Sequence, residues 1–84
     1  MRITLRQIEA FFWTARLGSM RAAAVRLNFT QPAVSARVRE LEEALGVRLF
    51  ARTNQRVQLT PVGRQAMAYA ERLLSAGQEF EQLG

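Results

Sequence analysis

The sequence predicts a mainly α-helical domain carrying one short strand pair, on three observations. Apolar residues recur at intervals of three and four over four separate stretches. Glycine, asparagine or a hydroxyl-bearing residue stands at the junctions, where helix stops and starts draw on those side chains. Around residues 47–59 the spacing changes to period two, with Val47 and Leu49 and then Val57 and Leu59 as the apolar positions. Eighty-four residues support one small domain with a modest core.

The first helix is predicted over about residues 5–17, where Leu5, Ile8, Phe11, Phe12 and Ala15 define an inner stripe and Gly18 ends the pattern. Ser19 caps a short second helix over about 20–27, with Met20, Ala23, Ala24 and Leu27 on one face. Asn28 follows, a residue that tolerates the left-handed conformation of a tight turn. Thr30 is the N-cap of the third helix, Pro32 lies in its first turn, and Phe29 is placed to staple onto Val34. Val34, Val38, Leu41 and Leu45 form its inner stripe, and Gly46 stops it. After the period-two segment, Thr60-Pro61 opens the last helix as cap and first-position proline.

The second and third helices, joined by a short turn with small Ala24 at their closest approach, satisfy the packing demands of a helix-turn-helix, although any compact helical hairpin shares that spacing. The period-two segment decides between them, because two short strands around Ala51-Arg52-Thr53-Asn54-Gln55-Arg56 make a basic hairpin. The fold class is therefore a winged helix-turn-helix with a short two-stranded wing and a long C-terminal helix.

Charge points the same way. All twelve cations are arginine and all seven anions glutamate, giving a net charge of +5. Residues 1–64 hold eleven arginines against four glutamates, and residues 65–84 one against three, so the basic surface belongs to the front of the chain. A basic domain of this size is expected to meet phosphate. Without His, Cys, Asp or Lys there is no ordinary zinc site, no Ser–His–Asp relay, no Cys–His pair and no Walker loop, so neither catalysis nor a metal or cofactor is expected. The N-terminus lacks a continuous apolar segment, and no stretch approaches the ~18 apolar residues that span a bilayer, so a cytoplasmic protein without membrane contact is expected.

The stretches LRQIEAFFWTARLGS, AAAVRLNFTQPAVSARVRELEEALGVRLFAR and VQLTPVG together resemble the N-terminal domain of the LysR-type transcriptional regulators. The likeness covers nearly the whole chain, and the Thr-Gln-Pro-Ala-Val-Ser start followed by Leu-Glu, Leu-Gly and Leu-Phe at these spacings carries it. It implies a bacterial, dimeric, sequence-specific transcription factor. It also implies an excised piece, with residues 1–60 as the DNA-binding domain, residues 61–84 as a dimerisation linker and an effector-binding domain beyond. The chain departs from the family pattern at Met20-Arg21, where members often carry an aromatic and a threonine, and at Ala36, where many carry arginine. The alternatives are another winged-helix regulator class, such as the molybdate-responsive type, and a winged helix that serves only to bind protein.

With Val34 inward, Pro32, Ala36, Arg39 and Glu43 share the opposite face of the third helix, with Gln31 and Ser35 on one flank and Arg37 on the other. Gln31 can pair with adenine N6 and N7, Ser35 can serve a base or a phosphate, and Pro32 with Ala36 offers apolar contact to a thymine methyl. Gln31, Pro32, Ser35, Ala36 and Arg39 are thus the base-reading set, and Arg21, Thr30, Arg37, Arg52 and Arg56 the phosphate and wing set. Glu40, Glu42 and Glu43 crowd the far end, where phosphates would repel them, so the helix is expected to enter the major groove by its N-terminus. The plainer reading makes Arg39–Glu43 and Arg37–Glu40 solvated ion pairs, and both readings can hold.

Along the last helix, Val62, Ala66, Tyr69, Leu73, Ala76, Phe80 and Leu83 alternate spacings of four and three, a heptad seam. Trp13 and Leu17, opposite the inner stripe of the first helix, need a cover of their own. The expected assembly is a homodimer with antiparallel last helices, Leu73 near the crossing, Trp13 packed beside it and a palindromic target.

Overall fold

Each of the four helices among the described residues starts on a hydroxyl. In the computed structural model, which describes residues 1–51 and 56–84, α1 spans Leu5–Leu17, α2 Met20–Leu27, α3 Gln31–Leu45 and α4 Pro61–Glu81. The side-chain oxygens of Thr4, Ser19, Thr30 and Thr60 accept the backbone amides of Gln7, Ala22, Ala33 and Gly63. Each such cap is worth about 1 kcal/mol. Gly18, Asn28 and Gly46 close α1, α2 and α3 in the left-handed conformation, and their amides bond back to the preceding turn. These stops, and three of the four starts, lie where the sequence places them. Thr4 is the addition: Gln7 Oε1 accepts its amide in return (3.0 Å), completing a capping box.

α1 is the element that the other three helices share: α2 and α3 pack on it and on each other, and α4 packs on it. Ile8, Phe11 and Phe12 meet Val34, Val38, Leu41, Leu49 and Phe50 in the core, with Ala10, Ala23, Ala24 and Ala70 where backbones approach. The Phe11 and Phe50 rings lie 5.5 Å apart, which brings the chain after α3 onto α1. A helix covered on several sides buries a wide arc. Ala10 and Thr14 are accordingly buried, whereas Leu5, predicted inward, is 47% exposed at the helix start. Leu45, also predicted inward, is 45% exposed at the end of α3.

Among the described residues the strand pair reduces to one antiparallel bridge, Phe50 with Leu59. The Ala51 amide donates to the Gln58 carbonyl (2.8 Å) and the Thr60 amide to that of Leu49 (3.0 Å). The predicted wing residue Arg52 lies outside the described residues, while Arg56 is described and exposed. The period-two expectation fails before the bridge. Val47 is exposed, and the adjacent Leu49 and Phe50 are both buried. Glu42 of α3 gives the reason, since its Oε2 accepts the amides of both Leu49 (2.8 Å) and Phe50 (3.2 Å). Backbone direction there follows a carboxylate rather than an alternating ladder.

α4 reaches the core through a stripe that carries little apolar signal: Gly63 and Ala70 are buried, and Met67 and Leu74 are half-buried against the same cluster. Val62 and Ala66, predicted for a partner, also pack half-buried against this domain's own core. No helix among the described residues is long and apolar enough to cross a membrane.

Candidate nucleic-acid interface

The front of α3 presents its predicted readers in graded exposure. Gln31, Pro32 and Arg39 are exposed, and Ser35 and Ala36 half-buried. Thr30 is exposed at the cap, its Oγ1 already accepting the Ala33 amide (3.2 Å), so the hydroxyl proton is what it can offer a phosphate. Arg21 is exposed in the first turn of α2. Arg37 is held more firmly than the sequence suggests. Its guanidinium lies 4.6 Å from the Phe29 ring centroid, and its buried Nε has no hydrogen-bond partner among the described residues. Phe29 thus both packs on the core and carries a cation. Glu40, the proposed ion-pair partner of Arg37, makes a long contact with Gln7 Nε2 of α1 (3.4 Å).

Ser35 and Arg39 open onto a groove between α3 and the chain that follows it. Met20 of α2 closes one side, and Arg48, Phe50 and Ala51 form the other. The groove brings two predicted base readers, Ser35 and Arg39, and a further cation, Arg48, to one surface. Arg48 is in neither of the sets assigned from the sequence. Glu42 and Glu43 line the same groove. Glu42 was read only as part of the acidic end. Its position seven residues before Leu49, with the helix stop Gly46 between, was the available signal. Its main-chain carbonyl also accepts the amides of Gly46 (2.8 Å) and Val47 (3.2 Å), so one residue ends α3 and receives the next segment.

On α4 the predicted seam divides. Tyr69, Leu73, Ala76 and Phe80 are exposed, Phe80 at 76%, while Val62 and Ala66 are engaged inward, and Leu83, predicted to continue the seam, lies beyond the helix end at Glu81 and is 80% exposed. Tyr69 and Leu73 border an apolar groove with Ile3, Ile8 and Leu45. Trp13, expected to pack beside the dimer seam, already finds part of its cover within the chain. Its ring meets Phe12 edge-on (5.1 Å), the Arg26 guanidinium sits 4.0 Å from its centroid, and it shares a second groove with Leu74 and Phe80 of α4. Leu17 remains 44% exposed.

This arrangement, a helix-turn-helix with an exposed polar helix front beside a basic segment, defines a class, and comparison with known proteins places the chain within it. The sequence model for bacterial regulatory helix-turn-helix proteins of the lysR family matches residues 5–64. The chain belongs to that family. It is 39% identical over 83 residues to a RuBisCO operon transcriptional regulator of Allochromatium vinosum, covering 99% of this chain and 28% of that protein. A full-length OxyR variant from Pseudomonas aeruginosa superposes with a TM-score of 0.93 at 34% identity, over 96% of this chain and 28% of that one. The BenM DNA-binding domain, solved in a DNA complex, superposes with a TM-score of 0.89 at 32% identity, covering 96% and 90% of the two chains. The chain spans about a quarter of the length of most of the curated relatives it matches. The family match also settles the choice between regulator classes against the molybdate-responsive type.

Proposed function

We propose that this chain reads double-stranded DNA in a sequence-specific manner for transcriptional control, as a homodimer joined through α4, within a longer cytoplasmic regulator that carries an effector domain. Residues 1–60 do the reading and residues 61–84 the joining, and the role needs neither catalysis nor a cofactor. The observation that carries this reading is the groove in which Ser35 and Arg39 of α3 face Arg48 and Ala51. A duplex laid along that surface would take the front of α3 in its major groove and the wing cations at an adjacent backbone. Gln31, Pro32, Ser35, Ala36 and Arg39 are assigned to base edges, and Arg21, Thr30, Arg37, Arg52 and Arg56 to phosphate or groove shape. That the similar BenM domain was solved in complex with DNA supports a DNA-binding role for this fold.

Selection of bound sites from a random DNA library, followed by alanine substitution, tests the reading. Gln31→Ala and Ser35→Ala are each expected to cost about 1–3 kcal/mol on the selected site and much less on random DNA. Equal losses on both would remove these residues from base reading, and failure to select any site would favour a winged helix that only binds protein. Arg56→Ala is expected to weaken selected and random DNA alike and to lower the salt dependence of binding by about one unit of slope. An unchanged slope would place Arg56 away from phosphate.

A further inference from the structure

We propose that Glu42 is a positioning residue that sets the wing at a fixed offset from the recognition helix. The inference rests on the DNA-reading role proposed above and adds to it a residue that touches no DNA. Glu42 Oε2 receives two consecutive amides, those of Leu49 (2.8 Å) and Phe50 (3.2 Å), and the residue is half-buried. Its own carbonyl receives Gly46 and Val47. Residue 42 is therefore bonded at both ends to the segment that leaves α3, from the last turn of the helix to the first residue of the Phe50–Leu59 bridge.

What this clasp fixes is an angle. Leu49 and Phe50 are buried, and the Ala51–Gln58 bond carries the chain onward from them. Packing alone leaves such a segment free to rock about its buried side chains, whereas a carboxylate that accepts two adjacent amides fixes where the peptide planes point. Gln31 and Ser35 on one side, and Arg48 and Arg56 on the other, can then meet one duplex without ordering the wing at the moment of binding. The position asks for a carboxylate in particular, because hydrogen bonds to a charged acceptor are about twice as strong as those to a neutral amide oxygen.

Amide exchange and DNA binding test the inference together, using Glu42→Gln and Glu42→Ala, alone and combined with Arg56→Ala. Glutamine keeps an acceptor of the same shape, so it is the variant that keeps the fold. In Glu42→Gln the Leu49 and Phe50 amides are expected to exchange about tenfold faster with the α1 and α2 amides unchanged, and Glu42→Ala to go further. On a duplex selected by the wild-type chain, Glu42→Gln is expected to lose about five- to tenfold in affinity, and less than about twofold when Arg56 is already alanine. A loss of the same factor in both backgrounds, or exchange that rises throughout the chain, would make Glu42 a general stabiliser and overturn the inference. If Arg56→Ala alone leaves affinity unchanged, the wing assignment fails first and the positioning role falls with it. Unaltered exchange at Leu49 and Phe50 would overturn the inference whatever the DNA result.

Discussion

Leu73→Glu is expected to turn a dimer into folded monomers in sedimentation and to reduce affinity for the selected site by about a hundredfold or more. The first part follows from where Leu73 lies. It is 37% exposed on α4 beside Tyr69, at the rim of the apolar groove that includes Ile3, Ile8 and Leu45. In the proposed antiparallel pairing the two copies of Leu73 meet near the crossing, so one substitution places two like charges in an apolar contact. Loss of binding follows from linkage, since two half-sites read by one joined molecule gain about 10²- to 10⁴-fold over separate readers. The domain itself should survive, because the contacts of α4 with its own core run through Gly63, Met67, Ala70 and Leu74. A dimeric Leu73→Glu variant, or a wild type that is monomeric both free and on DNA, would limit the exposed face of α4 to some other use.

Gly63→Ala is expected to destabilise the domain by about 3 kcal/mol or more, a drop of roughly 10–20 °C in the melting temperature. The sign runs against propensity, because alanine inside a helix ordinarily gains about 1 kcal/mol over glycine. Here a Cβ would fall well inside contact distance of the Leu49 carbonyl oxygen and 3.1 Å from Leu59 Cδ2. That carbonyl already accepts the Thr60 amide (3.0 Å), and the Thr60 hydroxyl bonds the Arg48 carbonyl (2.6 Å), so the backbone on the far side is anchored and has little room to yield. Thermal and urea melts decide the matter. A variant as stable as the wild type would show that α4 can slide away at no cost.

The two substitutions mark where the sequence was legible. Helix boundaries largely were, because α1, α2 and α3 stop on glycine or asparagine and three of the four starts carried a hydroxyl beside an obvious pattern, as at Ser19, Thr30 and Thr60-Pro61. The docking of α4 was not. Its contact stripe depends on small residues, Gly63 and Ala70, that let backbones approach and add almost nothing to hydrophobic periodicity, while the conspicuous Tyr69, Phe80 and Leu83 point outward. Val62 and Ala66, which the heptad spacing groups with the seam, pack half-buried against the domain's own core as well. Of the candidate interface, the exposure of Gln31 and Pro32 at the front of α3 was legible from helix geometry alone. Arg37 on Phe29 and Glu42 on Leu49 and Phe50 were not, since both depend on which way a long side chain turns after packing.

Trp13 is the chain's one tryptophan, and its place beneath Arg26 at the edge of the groove with Phe80 makes it a built-in optical probe. Indole emission shifts to the blue when water leaves the ring and is quenched or enhanced as nearby charge moves. A dilution series on the unlabelled protein can therefore follow whether anything comes to rest against α1 and the end of α4. Arg48, Phe50 and Ala51 lie elsewhere, beside Met20 and α3, so a change in emission on adding DNA to the proposed interface would have to reach Trp13 through α1 or through Arg26 of α2.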